Sequence, residues 1–274
     1  MTPTPASSAW NARYGDTATL PSSVNPIVEH LLNHCSVRAY DPRRQVGDEA
    51  LKLAVAAAQS ASTSSNLQVW SVVAVRDQAA RDRYAELAGR QQHISDAPLF
   101  LAWVLDLSRL RRIGETVGIP AGGTDYLELY TVGAVDVALA AQNAATALES
   151  LGLGIVYIGG LRNRPEDVAR ELGLPPGCMA LFGMCVGYPD PTQPADIKPR
   201  LPQSAVLHSE RYGTASEADD VHGYDARIVA YQTMQGRGDK PWSRTATTRV
   251  RGPESLNGRD RLREALVNLG IEAR

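Results

Sequence analysis

The chain has 274 residues, of which 43% are hydrophobic and 21% charged, a balance typical of a globular protein with a sizeable core. Its 28 basic and 30 acidic side chains give a net charge of −2, which argues against a protein that binds nucleic acid or a membrane surface through basic residues. Three cysteines, Cys35, Cys178 and Cys185, do not make a disulfide framework and favour a reducing, cytoplasmic compartment.

The first 23 residues are rich in Ser, Thr, Pro and Ala, and they lack the basic start and apolar core of a signal peptide. We predict a flexible tail over residues 1–23. The longest apolar run, Ala97 to Leu105, is too short to cross a bilayer. No repeat or linker divides the rest, so residues 24–274 are expected to form a single domain.

Apolar spacing and capping residues predict helices and strands that are interleaved along the chain. The predicted helices cover residues 24–33, 48–59, 77–89, 131–151, 165–173, 224–234 and 256–269. The predicted strands cover residues 69–75, 99–105, 154–158 and 180–186. Four strands are too few for a large doubly wound sheet, so an α+β fold is favoured.

Two predictions concern packing. The helix over residues 131–151 is apolar all round, so it should be buried on most sides, in the core or in a large dimer interface. Cys178 and Cys185 are seven residues apart, which places them on opposite faces of one strand, where both are expected in the core.

Standard nucleotide and metal motifs do not fit. Gly152 and Gly154 begin like a dinucleotide fingerprint, but Tyr157 stands where the third glycine is needed, so a Rossmann domain is not favoured. His30 and His34 have the spacing of metal ligands on a helix, but no third ligand follows in a recognisable pattern. No metal site is therefore expected.

Four segments carry the candidate chemistry: His34-Cys-Ser-Val-Arg38, the Ser-rich run Ser60 to Gln68, Tyr157-Ile-Gly-Gly160, and Lys198-Pro-Arg200. Each alone fits an ordinary surface loop. Two cations held apart by a proline suit a phosphate group. Glycines at the end of a strand let a planar ligand approach the backbone.

Together with Gly89 to His93 and the run from Ala141 to Asn163, these segments resemble the nitroreductase-like flavoproteins in order and spacing. The branch they resemble most comprises the major oxygen-insensitive NADPH nitroreductases and the NADPH-FMN oxidoreductases, over about residues 27–242. The resemblance implies a nitroreductase-like α+β fold with a central, mainly antiparallel sheet flanked by helices. It also implies an intertwined homodimer with one non-covalent FMN per subunit. Cys35 departs from the branch, which has Arg there.

The resemblance implies that the FMN phosphate is surrounded by His34, Ser36, Lys198 and Arg200. Arg38 and Gln91 would approach the pyrimidine edge of the flavin, and the backbone of residues 157–160 would lie near its N5. The full set expected to bind the cofactor is His34, Cys35, Ser36, Arg38, Ser62, Thr63, Ser64, Ser65, Gln91, Tyr157, Ile158, Gly159, Gly160, Lys198 and Arg200. No side chain is expected to act as a nucleophile or general base, because the flavin carries the chemistry.

The implied function is transfer of two electrons from NADPH, through flavin N5 in a ping-pong cycle, to nitroaromatic or quinone-type small molecules. One alternative is an NADPH-dependent flavin reductase that supplies reduced FMN to a partner; another is a flavin-binding protein without turnover. The segment from Arg227 to Arg263 holds nine basic and three acidic residues, a net charge of +6. It would suit the 2′-phosphate of NADPH, with Arg237 and Arg251 as candidates, although a solvated loop explains the charge equally well.

Overall fold

The structure is a computed structural model that describes residues 6–15 and 18–274. In this part of the chain the strands are β1 (Trp70–Val75), β2 (Leu99–Asp106), β3 (Gly154–Ile158) and β4 (Cys178–Gly187). The α-helices are α1 (Ala6–Tyr14), α2 (Pro26–Leu32), α3 (Asp48–Gln59), α4 (Gln78–Leu87), α5 (Gln92–Asp96), α6 (Ser108–Val117), α7 (Leu127–Ser150), α8 (Pro165–Leu172), α9 (Glu217–Met234), α10 (Trp242–Arg249) and α11 (Leu262–Asn268). Short 3₁₀ turns occur between them.

The chain divides into two compact units, one of residues 1–35 and 196–256 and one of residues 36–195 and 257–274. The four strands all belong to the second unit. They form one sheet in the order β1-β2-β4-β3, and every neighbouring pair is antiparallel. The predicted α+β class, the four strands and the antiparallel sheet are confirmed. A single domain over residues 24–274 stays a prediction.

A β-bulge in β4 changes which residues face the core. Trp103 of β2 pairs with Phe182 and its neighbour Val104 pairs with Ala180, so Leu181 is an extra residue. Because of it, Cys178 and Cys185 lie opposite Asp106 and Phe100, which are six residues apart on β2. The two cysteines therefore share one face, and the prediction of opposite faces is wrong. Both are buried, as expected.

The core of the second unit lies between the sheet and α7, with α3 packed against α7. Gly133 allows close approach here, because a Cβ at this position would lie 2.9 Å from the side chain of Leu105. The buried side of α7 carries Gly133, Asp136, Val137, Ala140, Ala141, Ala144, Ala145 and Leu148. Its other side leaves Val135 and Leu139 52% and 43% exposed. Within this chain α7 is thus buried on one side, not on most sides.

The opposite face of the sheet is covered in part by α4. Tyr84 of α4 stacks on Phe100 of β2 with ring centroids 5.6 Å apart. Gly183 makes room for this ring, since a Cβ there would lie 2.2 Å from the Phe100 ring. The cross-strand neighbour of Gly183 is Ala102, which is also small. Small residues on β2 and β4 thus leave room for the Phe100 ring, on which Tyr84 stacks.

The first unit holds α1, α2, α9 and α10. Tyr224, Ile228 and Tyr231 of α9 form a buried cluster, against which Leu201 and Trp242 pack. Asp225 of α9 accepts hydrogen bonds from both the backbone and the hydroxyl of Ser243 at the start of α10. These contacts join the two helices of the C-terminal half of this unit.

The helix α1 lies within the predicted flexible tail and corrects that prediction for Ala6–Tyr14. Ala9 is completely buried and Trp10 is 8% exposed. The indole Nε1 of Trp10 donates to the carbonyl of Ala18 at 3.1 Å. Composition rich in Ser and Ala resembles a disordered segment, but it does not reveal the burial of Ala9, Trp10 and Arg13 that holds this short helix in place. Residues 1–5 and 16–17 lie outside the described residues.

Most predicted helices are confirmed with shifts of a few residues at their ends. α3 has the predicted bounds, whereas α9 begins seven residues earlier than predicted and α11 is shorter than residues 256–269. α5 and α10 were not predicted, because they are short or too polar to show an apolar stripe. α6 was also missed, although Leu110, Ile113 and Val117 have the spacing of a helical stripe. Among the described residues no helix is long and apolar enough to cross a membrane. The same residues contain no cluster of His, Cys, Asp or Glu suited to hold a metal ion.

Candidate functional site

The segment after Cys35 runs alongside β3 in the second unit. Ser36 forms a parallel bridge with Ile155, and the amide of Val37 donates to the Ile155 carbonyl at 2.9 Å. Val37 is 3% exposed and lies over Gly154, where a Cβ would clash with it at 2.5 Å. Because side chains alternate along extended backbone, Ser36 and Arg38 lie on the exposed side. Two predicted site residues are thus held toward solvent by the burial of the residue between them.

Gln91 and Gly160, both predicted from the sequence, lie together in the same unit. A Cβ on Gly160 would lie 2.5 Å from Gln91 Nε2 and 2.5 Å from the carbonyl oxygen of Ala88. Gln91 Nε2 donates to that carbonyl at 2.8 Å. Only glycine therefore fits at position 160, where the chain passes directly beside the Gln91 amide.

His93 follows Gln91 by two residues and was not included in the predicted site. Burial lowers its pKa, and the positive charge of Arg38 lowers it further. The imidazole is therefore expected to stay neutral at neutral pH. Within the described chain its Nε2 is buried without a hydrogen-bond partner. The structure thus places a neutral imidazole within electrostatic range of Arg38.

Residues 157–160 span the end of β3, at the strand end where they were predicted. Ile158 is 1% exposed, and burial raises the pKa of Tyr157. A Cβ on Gly159 would lie 3.4 Å from a guanidinium nitrogen of Arg162 and 3.8 Å from one of Arg259. These two arginines were missed. Arg259 lies almost one hundred residues further along the chain, so no local spacing in the sequence indicates it.

The Ser-rich loop is attached to α7 through Asp136, a buried carboxylate that was also missed. Asp136 is 2% exposed. Its oxygens accept hydrogen bonds from the hydroxyl of Thr63 at 2.6 Å, the amide of Ser64 at 3.4 Å and the amide of Val69 at 3.3 Å. The Thr63 hydroxyl also accepts from the amide of Gln68 at 3.0 Å. The hydroxyl of Thr63 is the only donor of its side chain, and it bonds to Asp136. This contact anchors Thr63 to α7.

The part of the loop beyond Thr63 has an unusual backbone. Ser65, Asn66 and Gln68 have φ values of 50°, 54° and 51°, in the left-handed region that non-glycine residues rarely adopt. Such conformations cost energy and tend to occur where a loop serves a function. Ser62, Ser64 and Ser65 are exposed, so their hydroxyls face solvent as a group of hydrogen-bond donors.

In the first unit, Lys198 and Arg200 are exposed on either side of the buried Pro199. The backbone between them is fixed at two points, because the hydroxyl of Tyr224 donates to the Pro199 carbonyl at 3.2 Å and Arg227 donates to the Arg200 carbonyl at 3.3 Å. Two cations on an anchored backbone are well suited to a phosphate, because a phosphate binds more tightly when the cations around it are fixed in position. The predicted pair is therefore preorganised within its own unit.

His34 and Cys35 close the N-terminal part of the first unit. His34 is half-buried, and Cys35 is 9% exposed and forms no disulfide. Arg237 is exposed just after α9, and its amide donates to the Gln232 carbonyl at 2.9 Å. Arg251 is paired with Glu254 at 3.0 Å, but both side chains are about 60% exposed, so the pair holds Arg251 weakly.

Comparison with known proteins defines the class. The structure matches the NADPH:FMN oxidoreductase of Vibrio harveyi, solved in complex with NAD⁺, with a TM-score of 0.79 and 37% identity, covering 91% of this chain and 100% of that one. Residues 31–188 match the nitroreductase family, and residues 198–274 match the C-terminal domain of that family. The chain belongs to the nitroreductase family.

Curated relatives are similar over most of their length. The chain is 38% identical to an NADPH-flavin oxidoreductase of Vibrio harveyi over 231 residues, 84% of this chain and 92% of the relative. It is 37% identical to an oxygen-insensitive NADPH nitroreductase of Salmonella typhimurium over 213 residues, 78% of this chain and 85% of the relative. The family resemblance inferred from the short motifs is confirmed.

Proposed function

We propose that this protein is an NADPH-dependent FMN oxidoreductase of the nitroreductase type. The observation that carries the proposal is the anchored segment Lys198-Pro199-Arg200, which presents two exposed cations on a backbone held by Tyr224 and Arg227. The two curated relatives support the same chemistry, since both are named for NADPH and one for a flavin.

The residues present fit FMN. Lys198, Arg200 and His34 would hold the phosphate, because fixed cations and neutral donors match a dianion. Arg38 and Gln91 would hold the pyrimidine edge of the ring. Gly160 lets the chain pass directly beside Gln91, whose amide is held in place by the Ala88 carbonyl.

When bound, the flavin supplies hydride acceptance and two-electron release, in a ping-pong cycle between NADPH and the acceptor. The protein contributes orientation and charge. Arg38, which is exposed and lies within electrostatic range of the neutral His93, would stabilise negative charge that develops on the pyrimidine. Arg237 is the stronger candidate for the 2′-phosphate of NADPH, because Arg251 has an acidic partner. A nicotinamide that visits the flavin pocket needs no Rossmann domain of its own.

Two kinds of acceptor are supported by the relatives. The relative of Salmonella typhimurium is named a nitroreductase, and this name supports the proposal of nitroaromatic acceptors, to which we add quinone-type small molecules as a second class. The relative of Vibrio harveyi is named an NADPH-flavin oxidoreductase, and this name supports the alternative that the acceptor is free flavin, reduced for use by a partner. Steady-state kinetics with NADPH separates them, since the better acceptor has the higher kcat/KM in a panel of a nitroaromatic, a quinone and free FMN.

We also infer a homodimer, with the exposed apolar side of α7, including Val135 and Leu139, as part of its interface. Apolar side chains at this density on one helix are typical of surfaces that a second subunit covers. Light scattering of the purified protein at micromolar concentration tests this directly.

The phosphate assignment is tested by the double variant Lys198→Ala with Arg200→Ala. We expect it to release FMN on gel filtration, while Arg211→Ala, an exposed arginine of the same unit, retains it. Loss of two charge-assisted contacts should weaken binding by roughly a hundredfold. A double variant that stays as yellow as the wild type would overturn the assignment.

A further inference from the structure

The helix α1 lies before both regions that match the family, and it carries a buried arginine. Arg13 is 6% exposed. Its guanidinium donates from Nε to the carbonyl of Leu32 at 2.9 Å and from Nη2 to the carbonyl of His34 at 2.9 Å. A longer contact reaches the carbonyl of Leu31 at 3.5 Å. The side chain thus fixes the backbone from the end of α2 to His34.

The backbone of the same residue contacts the other phosphate-binding segment. The carbonyl oxygen of Arg13 accepts a hydrogen bond from the amide of Arg200 at 2.8 Å. The carbonyl of Arg200 accepts a hydrogen bond from Arg227, so the backbone amide and the backbone carbonyl of Arg200 are both hydrogen-bonded. Arg13 therefore bonds to His34 on one side and to Arg200 on the other. All of these residues belong to the first unit.

α1 is itself anchored, which allows it to act as a support. Trp10 is buried and hydrogen-bonded to the carbonyl of Ala18. The helix ends at Gly15, whose φ of 90° suits glycine and whose amide donates to the Asn11 carbonyl at 2.8 Å. A support of this kind transmits position, because its own side chains are fixed by packing and hydrogen bonds.

We propose that Arg13 is a positioning residue for the phosphate subsite, setting His34 and Arg200 in the places from which they meet a phosphate monoester dianion. The proposal rests on the proposed function, since it needs FMN to bind through these residues. Arginine suits the role because its planar fork can reach several carbonyls at once, which lysine or a neutral side chain does not. The helix α1, which lies before the regions that match the family, thereby takes part in binding the cofactor.

The experiment compares affinity for FMN with affinity for riboflavin, which lacks only the phosphate. Dissociation constants are measured by flavin fluorescence for apoprotein of the wild type, Arg13→Ala, Arg13→Lys and the control Arg211→Ala. We expect Arg13→Ala to lose roughly tenfold or more in FMN affinity, because a displaced hydrogen-bonded group costs at least this much. Arg13→Lys should lose less. Riboflavin affinity should be equal in all four proteins.

The ratio of the two affinities separates positioning from general damage. Equal losses for FMN and riboflavin would mean that Arg13 only stabilises the fold, and unchanged FMN binding would mean that it does not act on the site; either result overturns the proposal. If Arg13→Ala does not fold, as judged by circular dichroism, Arg13→Lys decides by the same ratio. A wild type that binds both flavins equally contradicts the phosphate site itself, so failure of the proposed function is recognised independently.

Discussion

Asp136 illustrates how a single buried carboxylate shapes the candidate site. It accepts hydrogen bonds from Thr63, Ser64 and Val69, and so it closes the loop whose later residues, Ser65 and Asn66, are left-handed. Backbone strain persists only where the surroundings impose it. Asp136 is the group that imposes it here, since it engages both ends of the strained stretch.

We predict that Asp136→Asn destabilises the protein by about 1–3 kcal/mol, because an amide NH₂ would face donors that now have an acceptor. Urea denaturation measures the change, and faster hydrogen exchange at Ser64 and Val69 should accompany it. Glu115→Gln, an exposed carboxylate within α6, serves as the control and should change stability by less than about 0.5 kcal/mol. An Asp136→Asn protein as stable as this control would refute the anchoring role.

Sequence patterns could indicate Thr63 but not its partner. The hydroxyl-rich run is visible locally, whereas Asp136 lies 73 residues away from Thr63, on a helix whose buried side is otherwise apolar. A polar residue on the buried stripe of such a helix was the available signal, since a buried carboxylate needs partners. Arg13 gave no comparable signal, because it lies in a segment whose composition resembles a tail.

Between elements, the ion pair of Glu166 and Arg261 joins the start of α8 to the turn before α11. Arg261 donates to both oxygens of Glu166, at 3.1 and 2.6 Å, and Asn268 adds a third hydrogen bond at 3.1 Å. Mainly because of Arg261, the pKa of Glu166 is lowered to about 2. Glu166 also lies in the first turn of α8, where the helix dipole favours a negative charge.

This pair should make stability depend on pH in the acid range. Because the pKa of Glu166 is lower in the folded state, its contribution is complete above the ordinary value of 4.5 and is lost as the pH falls through about 2. We expect Glu166→Gln to cost roughly 1 kcal/mol at neutral pH, after allowance for solvent screening, and close to nothing once the pH has fallen to about 2. Urea denaturation across this range measures the difference.

The control for this prediction is Glu264→Gln, which removes the more exposed partner of the same arginine. It should have little effect at any pH. A Glu166→Gln penalty that stays constant from neutral to acid pH would contradict the assignment of the stabilisation to this ionised pair.

The strands were predictable because buried strands are dense in apolar residues, and each predicted strand overlaps an observed one. The bulge at Leu181 could not be predicted, since it depends on pairing with Trp103 and Val104 on another strand. It moves Cys178 to the same face as Cys185. Helices such as α10, WSRTATTR, have no apolar period to detect, and so their existence depends on contacts such as those of Ser243 with Asp225.

Over the whole molecule, charge is distributed unevenly. The segment from Arg227 to Arg263 is +6, so the remainder of the chain is −8. The arginines of this segment differ in whether their side chains bond to other residues of the chain. Arg259 and Arg261 bind Asn163 and Glu166, whereas Arg237 extends from an exposed turn. The other predicted arginine, Arg251, has Glu254 as an acidic partner, so Arg237 is the better placed of the two to meet a mobile phosphate.

We predict that Arg237→Ala lowers the preference for NADPH over NADH, measured as the ratio of the two kcat/KM values, by roughly tenfold, the effect expected of one charge-assisted phosphate contact. Arg249→Ala, an equally exposed arginine at the end of α10, should leave the ratio unchanged. If Arg237→Ala and Arg249→Ala give the same ratio as the wild type, Arg237 has no part in recognising the 2′-phosphate.

The central claim is that this protein moves electrons from NADPH onto a bound flavin, and not merely that it binds one. The most direct measurement is to mix FMN-loaded protein with NADPH without oxygen and follow the visible absorbance of the flavin in a stopped-flow instrument. We predict that the bound FMN is bleached within the turnover time and that its colour returns when a nitroaromatic or quinone is added. A flavin that remains bound and fully coloured in the presence of both NADPH and NADH would contradict the account and would identify a flavin-binding protein without turnover.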